Sequence, residues 1–303
     1  MLDLGQYLPG PYAAQILADF GAEVIKVEPP GGDPMRRMAP LDDTGMSLDY
    51  RAINAGKTVV ALDLKSEAGR DGFAGLLADA DVLIESYRPG VLDRLEFSRE
   101  RIAALNPALI HVSLSGWGRT GPYRDRAGHD INYMALGGGL NACGPAAAPA
   151  MAYPPTADHA AGLQAALAAL GALFGRLRRG AEGKGRYVDL SILDSVLAWQ
   201  TLPLNAVAAG SPPERRYELL NGGAACYQVY RTGDARFVTL GALEEKFWVA
   251  FCRALDQPDW IDRQWEPMPQ RALIEAVAQR FRQHTLVEWQ ERLANIDCCF
   301  EPV

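Results

Sequence analysis

The sequence predicts an α/β protein: a parallel sheet with helices on its faces, followed by a smaller α+β region. Three observations predict it. Short apolar runs alternate with helical spacings as far as residue 114, the rhythm of parallel strands joined by helices. A glycine- and proline-rich break then leads into a long alanine-rich helical stretch. Beyond residue 220 a hairpin signature precedes three amphipathic segments. With 303 residues, 49% hydrophobic and 22% charged, the chain can bury one large core or two smaller ones.

Residues 13–20 have helical spacing and end at Gly21; residues 23–28 then read as a strand stopped by Pro29 and Pro30. Residues 59–64, 81–87 and 109–114 read as strands, and residues 67–78 and 98–105 as the helices between them. Residues 115–123, 137–139 and 145–155 are too rich in glycine and proline for regular structure and mark loops, where sites tend to be built. A long helix is expected from Asp158 to about Arg179, a strand over 186–190 after Gly183-Lys184-Gly185, and a helix over 192–206. The domain boundary is placed near residue 220, giving a large domain of residues 1–220 and a small one of 221–303. In the latter, strands at 226–230 and 237–240 flank Thr232-Gly233-Asp234, and helices begin at Glu245, Arg271 and Leu286.

Composition removes several function classes. A formal charge of -7 argues against a nucleic-acid partner. The five cysteines lack metal-binding spacing and read as reduced thiols. No basic leader is followed by an apolar run, so the cytoplasm is expected. Residues 160–177 come nearest to a membrane segment, but Gln164 and Arg176 interrupt them and a buried core helix fits better. Neither a GxGxxG fingerprint, a Walker A run, HExxH nor GxSxG is present, which argues against nicotinamide, NTPase, zinc-protease and serine-hydrolase chemistry.

What remains is polar residues in loops. Gly128-His129-Asp130-Ile131-Asn132-Tyr133 precedes an apolar run, and Ala157-Asp158-His159 opens the long helix. A carboxylate and a histidine facing one cleft suit proton transfer, because burial and mutual interaction tune both. Asp158 also stands where an N-cap belongs, so it can cap the helix, carry chemistry, or do both. Arg36 and Arg37 follow a Gly-Gly-Asp-Pro turn, and Arg88 follows a strand end, the place where open α/β sheets bind ligands. Arginine there clamps phosphates or stays a solvated surface charge. Lys57, after Asn54-Ala55-Gly56, is a further basic candidate.

Taken together, Gly10-Pro11-Tyr12-Ala13-Ala14, the run 17–29, Asn54 to Lys57, Arg88-Pro89-Gly90, Gly118 to Tyr123, Gly183-Lys184-Gly185 and Gly241 to Phe247 resemble, in order, the family III CoA-transferases and their α-methylacyl-CoA racemase relatives. The resemblance implies a large Rossmann-like CoA-binding domain with a small α+β domain, an interlocked homodimer, and no metal or permanently bound cofactor, coenzyme A being part of the acyl-CoA thioester substrate. It implies that Asp158 is the nucleophilic carboxylate of a transferase, or one of two bases in a racemase whose other base is His129, supported by Glu244. The complete Gly-His-Asp-Ile-Asn-Tyr motif tips the expectation toward the racemase, with the enolate held by backbone N–H groups at the helix that Asp158 opens. Arg36, Arg37, Arg88, Lys57 and Tyr133 are the residues expected to hold CoA. The family's final segment, which returns to the large domain, is missing after Val303, so the chain reads as truncated.

Overall fold

The computed structural model describes residues 1–180 and 183–303. The chain forms two compact units: residues 1–138 with 152–201, and residues 139–151 with 202–303, so residue 220, the expected boundary, falls inside the second.

The first unit begins β1 (Leu2–Leu4), α1 (Pro9–Asp19), β2 (Ile25–Glu28), α2 (Leu48–Ile53), β3 (Thr58–Ala61) and α3 (Glu67–Asp79). It continues β4 (Val82–Glu85), α4 (Val91–Arg94), α5 (Arg99–Leu105), β5 (Ile110–Ser115), α6 (Asp130–Leu136), α7 (Thr156–Arg178), β6 (Arg186–Ser191) and α8 (Ile192–Trp199). The six strands form one parallel sheet in the order β3-β2-β1-β4-β5-β6. The strand order reverses between β1 and β4, which opens a crevice at their carboxyl ends, where doubly wound sheets bind ligands.

Alternating side chains of the buried strands feed two cores. On one face Leu2, Leu4 and Leu83 pack with Phe73, Leu77, Phe97 and Ile102 of the α3 and α5 region. On the other, Val82, Ile84, Ile110 and Val112 pack against Ala13 and Leu17 of α1 and Ala165, Ala166 and Ala169 of α7. Small side chains let α7 lie close: a Cβ on Gly162 would sit 2.8 Å from the Tyr12 ring and 2.9 Å from the Pro9 carbonyl oxygen.

Three expectations change here. The helix expected over 192–206 is two helices, α8 and α9 (Thr201–Ala208), separated at Gln200. Pro203 cannot donate a backbone hydrogen bond to residue 199, and its ring crowds that carbonyl. The long helix starts at Thr156, with Pro155 at the N-cap position, so Asp158 lies in its first turn instead of capping it. Nor is α7 buried all round: Leu163, Leu167, Leu170, Phe174 and Leu177 form an exposed apolar stripe, with Leu177 71% accessible. By length and composition α7 could cross a membrane, yet it packs on α1, β5 and α8.

In the second unit β7 (Tyr227–Arg231) and β8 (Phe237–Gly241) form the expected antiparallel hairpin, and β9 (Phe300–Pro302) adds to β8. α10 (Glu245–Ala254), α11 (Arg271–Phe281) and α12 (Leu286–Leu293) cover one face of this sheet around Tyr230, Val238, Trp248, Phe251, Phe281 and Trp289. Gly233 at the turn donates to the His284 carbonyl oxygen at 2.8 Å, and a Cβ there would meet the Arg282 oxygen at 2.7 Å.

Candidate active site

A cleft of about 380 Å³ lies in the first unit where the strand order reverses. Gln6, Tyr7 and Pro9 from the first βα loop and Ser86, Tyr87 and Arg88 after β4 form part of its wall. The loop after β5 supplies Trp117, Arg124 and Arg126, and the start of α6 supplies Gly128, His129 and Tyr133. Asp158 opens into the same cleft.

Asp130 joins the two helices that carry the candidate bases. Its Oδ1 accepts the Asp158 N–H at 3.1 Å, so the first turn of α7 is capped from 28 residues upstream and not by Asp158. The Asp158 carboxyl accepts no hydrogen bond from a described residue, which leaves both oxygens available to a ligand. Burial first, and the neighbouring Asp130 charge second, push it up from 3.8 to about 6, against the opposing pull of His159 and His129. A carboxyl in that range gives and takes protons near neutral pH.

His129 is exposed at the N-cap of α6, where its N–H donates to Asn132 Oδ1 at 3.0 Å. Its glycine neighbour is a steric requirement, since a Cβ on Gly128 would lie 2.9 Å from both the Trp117 and Tyr133 rings. Those two rings meet edge to face at 4.7 Å. Tyr133 is buried, and burial followed by the Asp158 charge raises its phenol to about 12, so it remains a neutral O–H donor. His159 faces a structural partner: its Nδ1 donates to the Pro155 carbonyl oxygen at 2.5 Å, and its ring packs on the edge of Tyr12.

Arg88 is exposed in the cleft and joined there by Arg124 and Arg126, which the sequence reading did not single out. Their signal was position: they follow the glycine-rich turn after β5, at the carboxyl end of the sheet. Three guanidinium groups make the cleft suited to a polyanionic ligand.

The other basic candidates are engaged elsewhere. Lys57 Nζ is enclosed and donates to Asp3 Oδ2 at 2.9 Å, the Pro11 carbonyl oxygen at 2.7 Å and Asn54 Oδ1 at 2.9 Å, so all three of its donors are used inside the fold. Arg36 bonds Glu28 Oε2 at 2.6 Å and the Tyr50 hydroxyl at 2.6 Å while stacking over the Tyr50 ring. Arg37 is exposed and donates to the Gly31 carbonyl oxygen at 3.3 Å. Neither arginine nor Lys57 lines the cleft. Glu244 belongs to the second unit, exposed at the start of α10.

Comparison with known proteins identifies the family. The chain matches the profile of CoA-transferase family III over residues 1–303. It is 33% identical to the alpha-methylacyl-CoA racemase of Homo sapiens, covering 100% of this chain and 76% of that one. It is 36% identical to the succinyl-CoA–D-citramalate CoA-transferase of Chloroflexus aurantiacus, covering 86% of this chain and 64% of that protein. Among solved structures, a CAIB/BAIF family protein from Brucella suis superposes with a TM-score of 0.85 at 30% identity, covering 100% of this chain and 82% of that one. With its doubly wound sheet and a carboxylate cleft at the strand reversal, the chain belongs to CoA-transferase family III.

Proposed function

We propose that the protein is an acyl-CoA enzyme, a 2-methylacyl-CoA racemase that inverts the carbon beside the thioester by two-base proton transfer. The observation that carries this reading is a carboxyl held at about 6 in the same cleft as His129 and three arginines. The alpha-methylacyl-CoA racemase similarity supports it.

Inversion requires a base on one face of the α-carbon and an acid on the other. Asp158, ionised above pH 6, removes the α-proton of one enantiomer, and the imidazolium of His129 returns a proton to the opposite face. The roles exchange for the other enantiomer. Of the backbone N–H groups at this helix start, expected to hold the enolate oxygen, that of Asp158 is already committed to Asp130. Tyr133, a neutral donor in the cleft wall, supplies an O–H instead. Arg88 holds an anionic group of coenzyme A, which enters as part of the substrate.

The free carboxyl oxygens of Asp158 also favour a second reading, supported by similarity to the citramalate CoA-transferase. In it Asp158 attacks the thioester carbonyl, forming an acyl anhydride and releasing CoA thiolate. The thiolate then attacks the aspartyl carbonyl, leaving a CoA thioester on the enzyme and freeing the carboxylate. The homodimer belongs to this proposal as well: the exposed stripe of α7 is an apolar face suited to a second copy of the chain. Proton NMR of a 2-methylacyl-CoA in heavy water tests the assignment. Loss of the α-proton signal together with optical purity establishes the racemase, whereas a silent α-carbon with CoA transfer to a carboxylate acceptor establishes the transferase.

A further inference from the structure

Beneath the cleft lies an ion pair that neither reaction uses. Glu85, at the carboxyl end of β4, is fully buried, and its Oε2 accepts the Tyr87 N–H at 2.9 Å. Its Oε1 accepts from the Arg119 guanidinium, whose Nε donates to Ser113 Oγ on β5. His111 Nε2 stands 3.8 Å from the same Oε1. Burial alone would raise the Glu85 carboxyl, but His111, Arg119 and Ser113 outweigh it and hold the group below the ordinary carboxylate range.

One partner ends β4 and the other lies in the loop after the neighbouring β5. Glu85 anchors the turn that presents Ser86, Tyr87 and Arg88, whereas Arg119 sits in the glycine-rich loop running from Trp117 to Arg124 and Arg126. That loop turns at Gly118, whose φ of 82° is the left-handed conformation glycine adopts without strain. Two segments that line the cleft are thereby tied together through residues that are not part of its lining.

We propose that the Glu85–Arg119 pair is a positioning brace that sets the separation of Arg88 from Arg124 and Arg126, and so tunes the cleft to the charged portion of an acyl-CoA. The inference rests on the acyl-CoA reading of the cleft. It assigns the pair no contact with the reacting atoms. Ordering the guanidinium groups before the ligand arrives lowers the entropy lost on binding.

Calorimetric binding of acetyl-CoA, measured beside thermal unfolding, tests it in the wild-type chain, Glu85→Gln, Arg119→Gln and the double variant. Each single variant leaves a buried partner unmatched, which lowers the unfolding temperature; removing both relieves that mismatch. Acetyl-CoA affinity is expected to fall at least tenfold in each single variant and to stay low in the double variant although its unfolding temperature recovers. Unchanged affinity in folded single variants overturns the brace, and so does a double variant that regains affinity together with stability, because the pair would then serve stability alone. If the wild-type chain fails to bind acetyl-CoA, the acyl-CoA reading falls and the brace with it.

Discussion

Asp158→Asn separates what the carboxyl does for catalysis from what it costs the fold. The group stands at about 6 instead of 3.8 because burial, and then Asp130, disfavour its anion. A folded value above the unfolded one means that the ionised form is the poorly tolerated one. The penalty is therefore fully present above pH 6, shrinks as pH falls through 6, and vanishes below the unfolded value. At about 1.4 kcal/mol per tenfold change in proton affinity, its upper bound is roughly 3 kcal/mol, and solvent screening of a half-buried group leaves about 1–2 kcal/mol. Asparagine carries no charge, so the variant should unfold roughly 2–6 °C higher than the wild type at pH 8 and gain nothing at pH 4. The same substitution should slow α-proton exchange from the enantiomer that Asp158 deprotonates by about a thousandfold or more, since a positioned base contributes 10²–10⁴. Wild-type kcat/KM for the enantiomer that Asp158 deprotonates should rise tenfold per pH unit up to about 6, because only the ionised carboxyl acts as base. Circular dichroism melts at the two pH values and deuterium exchange by NMR are the assays. A variant that loses stability equally at pH 4 and pH 8, or that exchanges the α-proton at the wild-type rate, would refute the assignment of Asp158 as a buried catalytic base.

His129→Ala should stop racemisation while sparing CoA transfer; equal rates of racemisation before and after, followed in heavy water, would favour the transferase. Arg88→Ala should raise the Kd for acetyl-CoA by roughly 10–100-fold, the worth of a charge-assisted hydrogen bond, and an unchanged Kd by calorimetry would return Arg88 to the role of a surface charge. Phe281 is fully buried and stacks with Tyr230 and Phe251, so Phe281→Ala should cost about 3–5 kcal/mol in chemical unfolding of the second unit; a loss under about 1 kcal/mol would contradict the core described for it.

Much of the fold was legible because its signals are local. The helices expected to begin at Glu245, Arg271 and Leu286 begin there, since amphipathic spacing depends only on neighbours along the chain. The strands over 82–85 and 110–115 lie within a residue or two of their expected bounds. β1 was not legible. Three residues, Leu2-Asp3-Leu4, carry too little pattern to announce a strand, and only pairing with β2 on one side and β4 on the other makes them the centre of the sheet. Of the candidate site, Asp158, His129, Arg88 and Tyr133 meet in one cleft, whereas Lys57 and Arg36 spend their donors within the fold.

By itself the sequence determined the α/β class, the hairpin with its three helices and the identity of the polar residues that could do acyl-CoA chemistry, because periodicity, turn residues and motif order are properties of neighbours along a chain. Only the tertiary structure decided what each charge does. A lysine is a ligand-binding group or a strut according to whether Asp3, Pro11 and Asn54 surround it. An aspartate is a cap or a base according to whether Asp130, distant in sequence, has already taken the helix's free N–H. Burial and the approach of one charge to another arise from contacts between remote segments, and those contacts set both the proton affinity of Asp158 and the walls of the cleft it serves.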